Sequence, residues 1–408
     1  MATETATGTP LSALLRPGDT VLVGTGTGEP ATLIDELIAA AAQVPGLHAI
    51  QVMTGGEERL AQVAGDRLRL SVPVPGPRTR RALAEERATL LETSMSGLAG
   101  AIADGSLRVD AVLMQGRALG GGRTSPGLIA DLVIPAWARA RVRALELNAR
   151  LPAIACPTSL EEADAQRVVR VARDPTEWPV EPCGEAAARI GEAVAAIVPD
   201  GATIELGVGR ALAGVAGALA ATRRGLAMHT GIVGDAAMTL IEAGCVSRAV
   251  RGAALAVGAT AMGSRAFYAW ADGEPRIALV DSRLAHDARA LAALPRFVAI
   301  NSGLQVDLQG NVNSTVHRGR RISGAGGAPD FAAAGARGAA SIVALLSTTP
   351  DGRSAIVREA EATTVPGAHV THVVTEHGAA CLIGLSARER AGAIAAVADP
   401  AFRDALSG

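Results

Sequence analysis

The chain contains no lysine; all 38 residues counted as Lys or Arg are arginine. That excludes an enzyme working through a Schiff base and a phosphate loop that depends on a lysine ammonium. Aromatic residues make up only 2% of the 408, so stacking platforms for bases are not expected, and the interior must be packed from Ala, Val and Leu around sheets. The four cysteines, Cys156, Cys183, Cys245 and Cys381, form no CxxC pair. They argue against a disulfide framework or a zinc ribbon and read as small buried hydrophobes. No metal site is expected, because His369 and His372 fall on opposite faces of the strand read at 368–375 and no Cys or Asp completes a set with His377. A formal net charge of -2 without a dense basic block offers no field for nucleic acid or an anionic membrane. The first residues lack the basic and apolar regions of a signal peptide, and the longest apolar stretch, 211–222, is too short to span a bilayer. The expectation is a cytoplasmic protein whose partners are small molecules or another copy.

What is present suits two domains of ordinary size, with 49% apolar and 19% charged residues. Two segments share one design. Gly18-Asp-Thr-Val-Leu-Val-Gly24-Thr-Gly26-Thr-Gly28-Glu29-Pro30 leads into a helix at 31–42, and Gly201-Ala-Thr-Ile-Glu-Leu-Gly207-Val-Gly209 leads into a helix at 211–222. Each reads as turn, short strand, glycine loop and helix, followed by a further strand-like run at 47–54 and 226–230. Strands alternating with helices predict an α/β architecture with mainly parallel sheets and ligands at the carboxyl ends of the strands. The proline-containing stretch 173–183 reads as a linker, which divides the chain into domains at 1–185 and 186–408. Near the end, Ser386 and Glu389 form a capping-box pattern ahead of a helix reaching Val397.

Glycine loops at strand ends let backbone N–H groups approach a ligand without an intervening Cβ, and the helix that follows adds partial positive charge. Gly26, Gly28, Gly207 and Gly209 are candidates on that ground, with tight turning as the alternative. Gly324, Gly326 and Gly327 suggest a backbone surface left bare for an extended group such as a pantetheine arm. His229 has a pKa suited to proton transfer, with a hydrogen-bonded structural role as the alternative. Ser94 and Ser96 lack a Gly-x-Ser-x-Gly elbow and read as cap or turn residues.

Four segments in order resemble the acetyl-CoA hydrolase/transferase family: Gly201 to Gly209, Leu226 to Asp235 with His229-Thr230-Gly231, Ile300 to Leu308 with Asn301, and Ser323 to Phe331. Gly24 to Pro30 is similar to the family's acyl-substrate loop, and Val373-Val-Thr-Glu376-His-Gly to its Val-Val-Thr-Glu-Tyr-Gly run. The resemblance implies two open α/β domains of CoA-transferase type, CoA or an acyl-CoA as substrate with no tightly bound cofactor, an active site between the domains with CoA held mainly by the second, and a homodimer. It assigns Glu29, Gly207, Gly209, Gly231, Asn301, the glycines of 324–327 and Glu376 to substrate or CoA binding.

In the family a glutamate follows the His-Thr pair, attacks the acyl-CoA and then carries CoA as a glutamyl thioester; here Gly231 stands in its place and has no nucleophile. Glu205 replaces a glutamine and Arg210 a small residue. The stretch 380–385 has lost the acid and two bases of Ala-Asp-Leu-Arg-Gly-Lys, and Met114 to Arg117 stands near the place of a Ser-Pro-Pro-Asp segment. Glu205, at the end of a strand, is a candidate general base with a raised pKa; the alternative is a strand-end carboxylate paired with Arg210. Three readings follow: a thioester hydrolase or acyl-transfer enzyme using Glu205 and His229 without a glutamyl-CoA intermediate, a CoA-transferase with Glu205 as relocated carrier, and a non-catalytic binding or partner protein.

Overall fold

A computed structural model describes residues 5–53 and 56–407. The chain divides into two units, one of residues 1–179 with 258–285 and one of 180–257 with 286–408.

In the first unit the strands, in chain order, are β1 (Thr5–Gly8), β2 (Thr20–Val23), β3 (His48–Gln51), β4 (Arg69–Val72), β5 (Thr89–Leu90), β6 (Ala111–Gly120), β7 (Val142–Asn148) and β8 (Arg167–Val171). Their order across the sheet is β1-β8-β7-β6-β2-β3-β4-β5. Every neighbouring pair is parallel except β1 with β8 at the edge. Helix α1 (Ala31–Ala41) buries Leu33, Ile34, Leu37 and Ala40, one face at helical spacing. The expected run at 47–54 narrows to β3, and Thr54 lies outside the described residues.

The sequence division places the whole of 186–408 in one domain, whereas residues 258–285 group with the first unit. Backbone hydrogen bonds explain this: Ala130 and Asp131 N–H donate to Ala259 O, Ala261 N–H to Leu128 O, Leu279 N–H to Ala155 O, and Trp178 N–H to Gly263 O. The last of these also ties the expected linker to this unit. Residues 172–184 carry neither helix nor strand.

The second unit opens with α2 (Glu185–Ile197) and continues through β9 (Thr203–Leu206), α3 (Val215–Thr222), β10 (Ala227–His229), β11 (Ala256–Gly258), β12 (Phe297–Ser302), α4 (Ala328–Arg337), β13 (Ala340–Ala344), β14 (His372–Thr375), β15 (Gly378–Cys381) and α5 (Ala387–Ala396). Among these strands of the second unit the order in the sheet is β11-β10-β9-β12-β13-β14-β15. All neighbours are parallel up to β14, and β15 returns antiparallel. The strand expected at 368–375 is shorter, because Gly367–His369 form a 3-10 turn; the helix expected at 211–222 likewise starts with a 3-10 turn at Arg210–Leu212. The Ser386–Glu389 capping box forms. Of the cysteines, which read as buried, only Cys245 is fully buried; Cys183 and Cys381 are exposed and all four are free.

The two sheets share a topology. From β2 the chain steps outward to β3, β4 and β5, then restarts on the other side with β6, β7 and β8. From β9 it steps out to β10 and β11, then restarts with β12, β13 and β14. Each sheet therefore has a point where strand order reverses, at β2/β6 and at β9/β12, and parallel sheets hold ligands in the crevice outside the carboxyl ends at such a point.

Candidate active site

At the β9/β12 reversal, Thr203 to Leu206 pair in parallel with Phe297 to Ile300. The Gly207 N–H continues the ladder to Ile300 O at 2.9 Å. Beyond it the chain swings away: Gly209 lies at φ +131, a region that L side chains rarely adopt, and a Cβ there would stand 3.0 Å from Ser302 Oγ. Ser302 Oγ in turn donates to Val208 O at 3.1 Å. The Gly207–Gly209 loop is thus held close to the end of β12.

Glu205 is 2% exposed. Its Oε2 accepts hydrogen bonds from Ile300 N–H at 3.2 Å and from Asn301 Nδ2 at 2.7 Å. Burial pushes the carboxyl up to about 8, against the lowering effect of those two donors. The alternative, a pair with Arg210, does not form: Arg210 is exposed on the 3-10 turn, and a buried strand carboxyl faces the neighbouring strand instead of the loop that follows.

Thr203 pairs with Ala227 and Ile204 with Met228, so the register carries Glu205 and His229 to adjacent positions on neighbouring strands. His229 is buried at the end of β10, level with Val257 of β11. Thr230, fully buried, donates through Oγ1 to Leu206 O at 3.1 Å, which fixes the start of the Gly231 turn against the end of β9. The structure therefore brings Glu205, Gly207, Gly209, His229, Gly231 and Asn301 to one edge of one sheet.

Next to that edge stands a residue that sequence reasoning missed. His286, 3% exposed, packs its ring on Phe331 with centroids 4.9 Å apart. A Cβ on Gly231 would lie 3.4 Å from His286 Nε2, and one on Gly327 only 2.7 Å from its Cδ2 and Nε2. Gly327 is therefore required by the protein's own imidazole. Gly326 lies at φ +57 with open space around it, so its backbone conformation alone accounts for the glycine. No local pattern links His286 to residues so distant in the sequence.

The remaining candidates have other surroundings. Glu376 accepts from Ser347 N–H at 2.9 Å and Ser347 Oγ at 2.8 Å, which ties the β14–β15 turn to the loop after β13. In the first unit Gly26 and Gly28 are buried; Cβ atoms there would meet Met262 Sδ at 2.8 Å and Ile129 Cγ1 at 2.4 Å. The half-buried Glu29 accepts from Gln51 Nε2 at 3.3 Å. The N-terminus of α1, which the glycine loop aims into the β2/β6 crevice, is occupied by the buried Glu146 carboxylate, which accepts from Thr32 N–H at 2.7 Å and from Gln115 Nε2 at 2.9 Å. Asp131, also buried, accepts from Thr25 Oγ1 of the same loop at 2.8 Å. Burial raises the pKa of both carboxyls. Among the described residues no group of three or more His, Cys, Asp or Glu is placed to hold a metal ion.

Residues 263–408 match the profile of the acetyl-CoA hydrolase/transferase C-terminal domain. The 4-hydroxybutyrate coenzyme A transferase of Clostridium kluyveri is 26% identical over 390 residues, covering 93% of this chain and 90% of that protein. The butyryl-CoA:acetate CoA-transferase of Anaerostipes caccae is 30% identical over 239 residues, covering 55% of this chain and 54% of its own. The crystal structure of RipA from Yersinia pestis shares the fold, with a TM-score of 0.87 at 25% identity over 98% of this chain and 95% of that one. Profile, relatives and fold agree: residues 263–408 carry the acetyl-CoA hydrolase/transferase C-terminal domain, and the chain as a whole is similar to CoA transferases in sequence and fold.

Proposed function

We propose that the protein is an enzyme acting on acyl-CoA thioesters by direct attack on the thioester carbonyl, without a glutamyl-CoA intermediate, hydrolysis being the simplest outcome. The observation that carries this reading is Gly231: it stands at the sheet edge with no side chain, and the space beyond it is held by the rings of His286 and Phe331. No carboxylate can attack from that position. CoA or an acyl-CoA is the substrate, with no tightly bound cofactor. The glycine backbone of the 207–209 and 324–327 loops supplies N–H groups suited to a developing oxyanion.

A CoA-transferase with Glu205 as carrier is the second reading, and the structure weighs against it. A carboxyl raised to about 8 is mostly protonated at neutral pH and a poor nucleophile. Its ionised minority can accept a proton as a base, and its protonated form can, with His229, position a group that does. The third reading is a binding protein that keeps the fold without the chemistry. A homodimer in the cytoplasm remains our proposal for its state; among the described residues no helix is long and apolar enough to cross a membrane.

Thiol release from a panel of acyl-CoAs, with and without carboxylic acid acceptors, separates these readings when paired with intact-mass analysis. Direct attack predicts thiol release without an acceptor acid and an unmodified protein. An adduct of CoA mass mapped to Glu205 establishes the transferase instead. Binding without turnover favours the third reading.

A further inference from the structure

Two glycines of the second unit converge on one imidazole. Gly231 points its missing side chain at His286 Nε2 and Phe331 Cε2, each 3.4 Å from where a Cβ would sit. Gly327, at the start of α4, approaches so closely that a Cβ would come within 2.7 Å of Cδ2 and Nε2. The Phe331 ring, tilted 47° to the imidazole, backs it. The chain on its C-terminal side is pinned by Asp287, whose carboxylate accepts from Arg289 and Ala290 N–H at 2.9 and 3.2 Å. Gly231 and Gly327 are half-buried, so the imidazole lies just beneath a surface of bare backbone.

We propose that His286 supplies the chemistry that Gly231 cannot: its Nε2 is the base that takes a proton from water as that water attacks the thioester carbonyl carbon. The atoms balance with water as the only added reactant. The water oxygen forms the new C–O bond, its proton passes to Nε2, and the carbonyl electron pair moves onto oxygen. On collapse the C–S bond breaks and the imidazolium returns the proton to the departing CoA thiolate, leaving a carboxylic acid and free CoA. An imidazole titrates near neutrality and serves both transfers. The inference deepens the thioester reading and rests on it.

The competing view is that His286 only fills space against Phe331. A filler can be any ring of that size, and it moves melting temperature without touching proton transfer. A base leaves kcat, and its dependence on pH, in its own hands.

The test uses the full chain and the acyl-CoA of highest turnover, comparing wild type with His286→Gln and His286→Asn. We expect kcat to fall by roughly 10²–10⁴-fold with KM changed only a few-fold. Any rising limb that an imidazole base gives the wild-type pH–rate profile, within roughly pH 5–8, should vanish in the variants. Folded variants that keep wild-type kcat and pH profile overturn the assignment while leaving the thioester reading intact. A wild type that turns over no acyl-CoA overturns both. If both variants unfold, the wild-type profile decides, and a rate flat across that pH range refutes His286 as the base.

Discussion

Placing a glutamate at Gly231 tests whether the space beside it is filled. Gly231 is absent from the positive-φ glycines, so an L side chain meets no backbone penalty. The first atom fits as well, because a Cβ would sit 3.4 Å from the nearest ring atoms, an ordinary contact. Gly231→Ala should therefore be neutral or stabilising by about 0.4–1 kcal/mol through the unfolded chain. Gly231→Glu adds four heavy atoms beyond that Cβ in a direction occupied by His286 and Phe331. Overpacking of this kind costs roughly 1–3 kcal/mol, and a domain of 150–250 residues loses about 2–4 °C of melting temperature per kcal/mol. Scanning calorimetry should thus show Gly231→Glu melting several degrees below wild type. The double variant Gly231→Glu/His286→Ala should recover much of that loss relative to His286→Ala alone. A glutamate that costs nothing in the wild-type background, or costs the same after His286 is truncated, would refute the claim that the imidazole fills the slot.

Gly327→Ala should destabilise by a similar ~1–3 kcal/mol, because its backbone is ordinary at φ -89 and ψ -8 and the whole cost is the contact with His286; thermal melts in wild-type and His286→Ala backgrounds check whether the cost disappears with the ring. Glu205, raised from 4.5 to about 8, keeps in the folded state a proton that the unfolded chain has released between those values, so its share of stability is present below pH 4.5 and is lost as pH rises toward 8. Glu205→Gln should flatten that decline in melts taken from pH 5 to 9, and parallel slopes for the two proteins would count against the assignment. Ser386→Ala removes the side chain that caps α5 and should cost about 0.5–2 kcal/mol, read as a lower denaturation midpoint with an unchanged slope.

The parts legible in the sequence were those with a local cause. Strand, glycine loop and helix at 18–42 carry their own turn chemistry and apolar period, as does the Ser386 cap, and these elements form close to where they read. The carboxyl-end placement of Glu205 and His229 was also legible, because a parallel sheet puts the last strand residues beside the loops. Glu205 pairs across to Asn301 and not along the chain to Arg210 because β12 packs beside β9 only once the sheet is assembled. The return of residues 258–285 to the first unit rests on backbone hydrogen bonds between residues roughly 85 to 133 apart in sequence, which no window can see. Two cysteines sit in the open for the same reason: burial belongs to the packed element, and the residue type sets only a tendency. Several glycines read as room for ligand also have a requirement of their own within the fold. Gly28 yields to Ile129, Gly327 to His286 and Gly209 to its own φ.

That last point weighs on the choice between an enzyme and a silent relative. A protein that had merely lost the reaction would have no need of a glutamate at position 205, where glutamine or an apolar residue would serve. Either would spare it a buried carboxyl whose ionisation the fold resists up to about pH 8. It would equally be free to fill the space beside Gly231 with an aliphatic side chain, which packs without constraining Gly327. The chain instead carries an acid there, and on adjacent structure two imidazoles, His229 and His286, at the end of a sheet where α/β proteins place ligands. Ionisable groups buried at such a point are more expensive than the residues that could replace them, and perturbed titration gathers at sites of chemistry. The bare backbone at Gly231 then reads as access to the imidazole behind it. The imidazole base proposed above needs that opening, and a scaffold has no use for it.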